Sequence, residues 1–251
     1  MQTLYQLPDS LWKKVCTIFE PKPRRRKTSL QVIFSGIIYL LSNGCKWRSL
    51  PPQYGHYKLL WYYFNRWAVY GLLDEALYKL GLRLRKKSGR TPEPSLAIID
   101  AQSVKIAGGT SEETGYDAGK RVKGRKRHIA VDTQGTVLAA AVSSAFLHDK
   151  KGALLLQRDI EERPRLKTIV ADGGYDGPPP FTAHGRIRWL LRQRKEKGKF
   201  SPLPQRWIVE RTFSWIINYR RLAKDYEKTV LMSRAMLLMC AIHITLKKLV
   251  T

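Results

Sequence analysis

Apolar positions in the first ninety residues recur at three- and four-residue spacing, the period of a helix with one buried side. Leu11, Trp12, Val15, Ile18 and Phe19 form one such group, opened by Pro8-Asp9-Ser10 and closed by the basic, proline-bearing stretch Glu20–Lys27. A second runs from Leu30 to Ser42, with Ser29 placed to cap its start and Asn43-Gly44 to stop it. Leu50-Pro51-Pro52 is a break. A third helix spans His56–Tyr70, and Gly71 divides it from a fourth that ends in the basic run Arg83–Arg90. Short helices with turns of this size predict a small all-α, helix-turn-helix-like domain over residues 1–90. Leu59, Leu60, Tyr63, Phe64 and Trp67 read as its core.

The period changes after a hinge-like segment, Ser88-Gly89-Arg90-Thr91-Pro92-Glu93-Pro94. Ser95–Asp100 is a short apolar run that ends in a carboxylate, and a polar, glycine-bearing loop, Gly108–Gly119, follows it. Lys126–Asp132 and Thr136–Ser143 flank Gln134-Gly135 as a hairpin. Asp149–Arg163 is helical in pattern, Thr168–Asp172 is another apolar strand ending in aspartate, and Arg186–Leu191 is a further strand. Two helices, Pro204–Leu222 and Val230–Val250, close the chain. This order predicts an α/β domain over 91–251, a mixed sheet with helices on its faces.

Two strands of the same kind thus end in aspartate, Asp100 and Asp172, and ligands of open α/β sheets sit at the carboxyl ends of strands. Glu210 lies on the next long helix. At 100° per residue, Val209, Thr212, Phe213 and Ile216 make that helix's apolar face, while Arg206, Glu210, Ile217 and Arg221 share the adjoining flank. Three carboxylates without His or Cys suit a hard divalent cation. Pattern alone leaves Asp132, Asp149 and Asp176 as rival acids, and leaves a simple Arg206–Glu210 ion pair as another reading of the flank.

The charge changes the picture most. The 251 residues carry 46 Lys and Arg against 20 Asp and Glu, a formal +26. Solubility of a small domain asks for about 2–8 charges of one sign, so the partner is a polyanion, nucleic acid. His56, Lys58 and Arg66 are then the candidates for touching DNA from the helical region. Three scattered cysteines, Cys16, Cys45 and Cys240, argue against a disulfide scaffold or zinc finger and fit a reducing compartment. Val32–Leu41 is too short to span a bilayer, and Val230–Leu246 carries Arg234 and His243, so both read as buried helices of a soluble, cytoplasmic protein.

Four stretches in order resemble the transposases of bacterial insertion sequences, specifically the insertion-sequence-five family. They are Ile37–Pro51 with Asn65-Arg66-Trp67, Ile98–Lys105 with Gly115–Gly135, Val170–Gly177, and Arg206–Glu227. The likeness covers nearly the whole chain. It implies an RNase H-like DDE domain in which Asp100, Asp172 and Glu210 are the catalytic acids and bind two divalent ions, Mg²⁺ or Mn²⁺. Arg206 matches the arginine of the signature around the family's glutamate, whereas Leu203 stands where a tyrosine is common and Ile217 where a lysine is common. Only residues 192–203 separate the last strand from the glutamate helix, so the large inserted β-domain of some relatives is absent.

The expected function is therefore hydrolysis at transposon ends followed by transfer of the freed 3′-hydroxyl into target DNA. The partners expected are double-stranded DNA, as terminal inverted repeats and target, and a second copy of the chain, in the bacterial cytoplasm at the nucleoid. Lys123, Arg125, Lys126, Arg127, Arg206, Arg220 and Arg221, assisted by Arg24, Arg25 and Arg26, are the residues expected to hold DNA. The rivals are a transposase-derived DNA-binding regulator and an RNase H-like nuclease without strand transfer.

Overall fold

The structure, a computed structural model, describes residues 5–21, 25–108, 111–192 and 205–250. Arg24 and Leu203, singled out above, lie outside the described residues. Six strands form one mixed sheet: β1 (Leu96–Lys105), β2 (Gly115–Asp117), β3 (Val122–Val131), β4 (Val137–Ser144), β5 (Thr168–Asp172) and β6 (Arg188–Arg192). β1 is antiparallel to β3 and parallel to β5, which is parallel to β6. Residue Gly124 pairs with Lys105 of β1 and Gly115 of β2, and Ile129 with Asp100 of β1 and Ala140 of β4. β2 and β4 therefore share the outer edge of β3, one after the other, and the long strands run β4-β3-β1-β5-β6.

The hairpin falls where its turn residues put it. Gly135 takes a left-handed φ of 74°, and Asp132 Oδ1 accepts from the backbone N–H of Gln134 and Thr136, each at 2.9 Å. Four features differ from expectation. β1 continues five residues past Asp100, because antiparallel pairing to β3 satisfies the backbone of a stretch beyond the apolar run. β2 lies inside the expected loop, its three residues bonded to the start of β3. The expected helix over 149–163 is split into α6 (Asp149–Ala153) and α7 (Gln157–Glu161) by a 3₁₀ turn, and the one over 11–19 into α1 (Asp9–Trp12) and α2 (Cys16–Phe19).

Alternation divides the core into two layers. Ala97, Ile99, Ala130, Ile169 and Ala171 pack on the α6–α7 side. Ile98, Ile129, Val131 and Val170 face α8 (Arg206–Ile217) and α9 (Val230–Lys248). The N-terminal helices α3 (Leu30–Asn43), α4 (Tyr57–Val69) and α5 (Leu72–Lys87) belong to this second layer as well, so Phe34, Trp67 and Leu80 share one core with Met236 and Ile242 of α9. Ser29 Oγ caps α3 by accepting from Val32 N at 3.3 Å, and Gly44 ends it at φ 69°. α9 is long and apolar enough to cross a membrane, and most of it is buried inside this fold. Its apparent blemish, Arg234, ties it to α5 through Asp74, with Nη1 donating to Oδ2 at 3.0 Å and Nη2 to Oδ1 at 2.5 Å.

Candidate active site

The parallel register of β1 and β5 places Leu96, Ala97 and Ile98 beside Thr168, Ile169 and Val170. Two more residues along each strand bring Asp100 level with Asp172. Both share the side of the sheet taken by Ile98 and Val170, the side that α8 covers. α8 lies on it through Val209, Thr212, Phe213 and Ile216, all buried as their helical phase predicts, and through Ile208 as well. Glu210, next to Val209, stands at the rim with its side chain 49% exposed. Arg206 joins the acids. Its Nη1 donates to Asp172 Oδ2 at 2.9 Å, and its Nε and Nη2 donate to Glu210 Oε1 at 3.0 and 2.6 Å.

Asp100 is set deepest. Burial pushes its carboxyl up to about 6; Ala101 N–H, donating at 2.8 Å, and the positive Arg206 and Lys120 oppose the rise, while Asp172 adds to it. Lys120 reaches this corner by donating from Nζ to Ala101 O at 3.0 Å. Tyr175, in the turn after Asp172, buries its hydroxyl with no hydrogen-bond partner among the described residues. Burial and then the charges of Asp100, Asp149 and Asp172 hold its pKa up, which puts it among the acids.

The acids suit a divalent cation in chemistry: the donors are oxygen only, and the two outer carboxylates already attract a cationic group. Among the described residues, however, no three acidic, His or Cys side chains stand close enough together to hold a metal ion. The carboxylates of Asp172 and Glu210 are gathered around a guanidinium.

The rival acids have partners of their own. Asp132 is buried in the hairpin turn and paired with Arg85 Nη1 at 2.6 Å. Asp149 faces Lys126 Nζ at 2.8 Å. Exposed Asp176 accepts from Gly177 N at 2.8 Å.

The structure corrects the expected DNA contacts at four positions. Arg125 is wholly buried and donates to the carbonyls of Glu112, Glu227 and Lys228 at 2.7–2.9 Å, with Asp225 Oδ2 at 3.3 Å. Arg127 is buried and donates to Leu222 O at 2.8 Å. Lys126 is buried against Asp149 and Leu147 O, and Arg221 against Glu227 and Cys45 O. Arg125 and Arg127 stitch β3 to the segment after α8, Lys126 ties β3 to the start of α6, and none of the four cations faces solvent. The alternation of β3 does not foretell it, because both faces of that strand are covered. Lys123, Arg220, Arg25 and Lys224 are exposed, and Arg26 is bonded to Glu20 and Tyr63. Ile217 is exposed on the free side of α8. Lys120 and Tyr175 are the site residues that sequence reasoning left in the background; Tyr175's place directly after VADGG was the available signal.

A mixed sheet ordered β4-β3-β1-β5-β6, with aspartates level on its central parallel strands and a glutamate on the covering helix, is the class of domain on which DDE transposases are built. The chain belongs to the transposase DDE domain family, whose model matches residues 91–245. Residues 7–77 match a second family, described as a putative transposase of IS4/5 family. A putative transposase for insertion sequence element IS402 from Burkholderia cepacia is 34% identical over 119 residues, which cover 42% of this chain and 54% of that protein. An insertion element IS402 uncharacterized 16.2 kDa protein of the same organism is 28% identical over 111 residues, 41% of this chain and 74% of its own length. The chain thus spans about half the length of the first of these relatives. No solved structure matches it. DDE transposase domains in general use divalent metal ions.

Proposed function

We propose that the protein is the transposase of an insertion sequence, cutting phosphodiesters at the element's ends and joining the freed 3′-hydroxyl to target DNA. One observation carries this reading: Asp100 and Asp172 stand level on adjacent strands, and Arg206 holds Asp172 and Glu210 together above them. Asp100, Asp172 and Glu210 would hold the divalent ions, two per site, which supply a cationic clamp on the attacking and leaving oxygens. For that, Arg206 releases at least one carboxylate, and its guanidinium is then free to pair with a DNA phosphate at the mouth of the site. Lys120, beside Asp100, and exposed Lys123 add positive charge near the scissile strand.

In this reading residues 1–90 recognise the terminal inverted repeats and residues 91–251 perform the chemistry on double-stranded DNA. Two ends cut together call for at least two copies of the chain, working at the bacterial nucleoid. Supercoiled DNA bearing the element's ends, incubated with Mg²⁺ or Mn²⁺, should be nicked at the ends and give strand-transfer products. Asp172→Asn and Glu210→Gln should each abolish both. Undiminished cleavage by either variant would refute the assignment.

A further inference from the structure

A groove of about 530 Å³ opens between α2, α4 and the start of α5, and none of its lining residues takes part in the acid site. Trp67, 1% exposed, and Phe19 form its floor, their rings 4.6 Å apart. Tyr63 continues the floor, and Tyr62 meets it edge-on with centroids 5.3 Å apart. Tyr62 and Tyr70 stand at the lip, 49% and 68% exposed. Arginines hold this aromatic wall. Arg66 Nη1 donates to Tyr62 Oη at 3.1 Å and its guanidinium lies 5.4 Å from the Tyr70 ring centroid, while Arg26 Nε donates to Tyr63 Oη at 3.2 Å.

The charge in the groove has one sign left over. Among the described residues that line it, Glu20 is the one acid, and it is joined to Arg26. α4 contains no Asp or Glu at all, so Arg66 and Lys58 give its outer face a net positive charge. An aromatic groove with a cation at its rim is complementary to a flat aromatic group that carries an anion. Stacking faces beside arginines bind unpaired bases in this way, tolerating any base because each has a π-face. A buried apolar partner would not need the arginine, and a paired duplex does not present a base face.

We propose that this groove takes one unpaired nucleobase of a DNA strand, stacked against Tyr62 and Tyr70 with its phosphate on Arg66. The proposal rests on the reading that this chain acts on DNA. It is tested with the full-length protein and two duplexes of equal length, one carrying an extrahelical 2-aminopurine and the other the same base paired. The extrahelical duplex should bind about 10-fold tighter, with its fluorescence quenched on binding, since stacking one base on an aromatic side chain contributes on the order of 1–3 kcal/mol. Tyr62→Leu and Tyr70→Leu, both at exposed positions, should erase that preference and leave paired-duplex affinity and thermal unfolding unchanged. Arg66→Gln should weaken both duplexes.

Equal affinity of the native protein for the two duplexes overturns the proposal alone, while failure to bind either overturns the DNA reading with it. Preference retained in both tyrosine variants also overturns it. So does a preference unchanged in variants whose oligomeric state shifts on sedimentation, which would give the groove to a protein partner.

Discussion

Arg206 donates to Asp172 across 2.9 Å and to Glu210 across 2.6 Å, so one guanidinium neutralises two of the three acids that the fold brings to one sheet face. Both contacts are partly exposed, and water and salt screen them. They are strong enough to order the site and weak enough to be exchanged. Arg206→Gln should therefore raise the protein's affinity for Mn²⁺, measured calorimetrically without DNA, while lowering strand transfer at least about 10-fold, the loss of one charge-assisted phosphate contact. Weaker Mn²⁺ binding in the variant would show that Arg206 supports the acids and does not compete for them.

Asp100 is a half-buried carboxyl whose pKa desolvation raises to about 6 from the 3.8 of an ordinary aspartate. The folded form then binds more protons than the unfolded chain between those two values, so this group's contribution to stability falls as pH rises from about 4 to 6 and stays unfavourable above it. Asp100→Asn should abolish cleavage and yet raise the melting temperature at pH 7.5, by the equivalent of up to about 3 kcal/mol. A lower melting temperature would mean that the charged form is satisfied in the fold.

His243 works in the opposite direction. Its ring is buried between two tyrosines, with Tyr5 Oη 2.8 Å from Nε2 and Tyr219 Oη 2.8 Å from Nδ1. A neutral imidazole offers one donor and one acceptor, so one hydroxyl gives a proton to the ring and the other receives one. Burial, with a smaller effect of Lys247, pushes its pKa down to about 3, and burial pushes that of His128 down to about 4. The unfolded chain binds more protons than the folded one from about pH 6.5 down to those values, so stability falls as pH falls through that window. Urea midpoints should drop from pH 6.5 to 4. His243→Gln should flatten the slope, and an unchanged slope would place the titration elsewhere.

Arg125 and Lys123 sit two residues apart and should behave oppositely. Arg125→Met strands Asp225 and three backbone carbonyls in the interior, which should cost on the order of 3–5 kcal/mol of stability in denaturant titration. Lys123→Ala should leave stability within about 0.5 kcal/mol and lower the salt slope of DNA binding by about 0.9, one phosphate contact. Similar effects of the two substitutions would contradict the burial described.

Much of this was legible in advance, for identifiable reasons. Asp100 and Asp172 could be seen because short apolar runs end on them, and Glu210 because the period of α8 puts Val209 and Phe213 inward beside it. The hairpin followed from Gln134-Gly135. The basic run on β3 was misleading: a charged strand reads as surface when only its own residues are in view. The carbonyls that claim Arg125 belong to Glu112, Glu227 and Lys228, up to 103 positions away. The bridge made by Arg206 was half legible. Its contact with Glu210 is local in sequence, while that with Asp172 needs the sheet.

The single core shared by α3, α4, α5 and α9 makes the first third of the chain a poor module. Cutting at residue 90 would strip apolar cover from α9 and break the Asp74–Arg234 tie, so a truncated catalytic half would fail by unfolding before its DNA binding could be judged. A chimera with another transposase's N-terminal helices would have to import a matching α9. The shared core would also act as a ruler: if α4 holds a DNA end, as proposed, packed side chains fix its separation from the acids, and the distance from recognition sequence to cut should vary little.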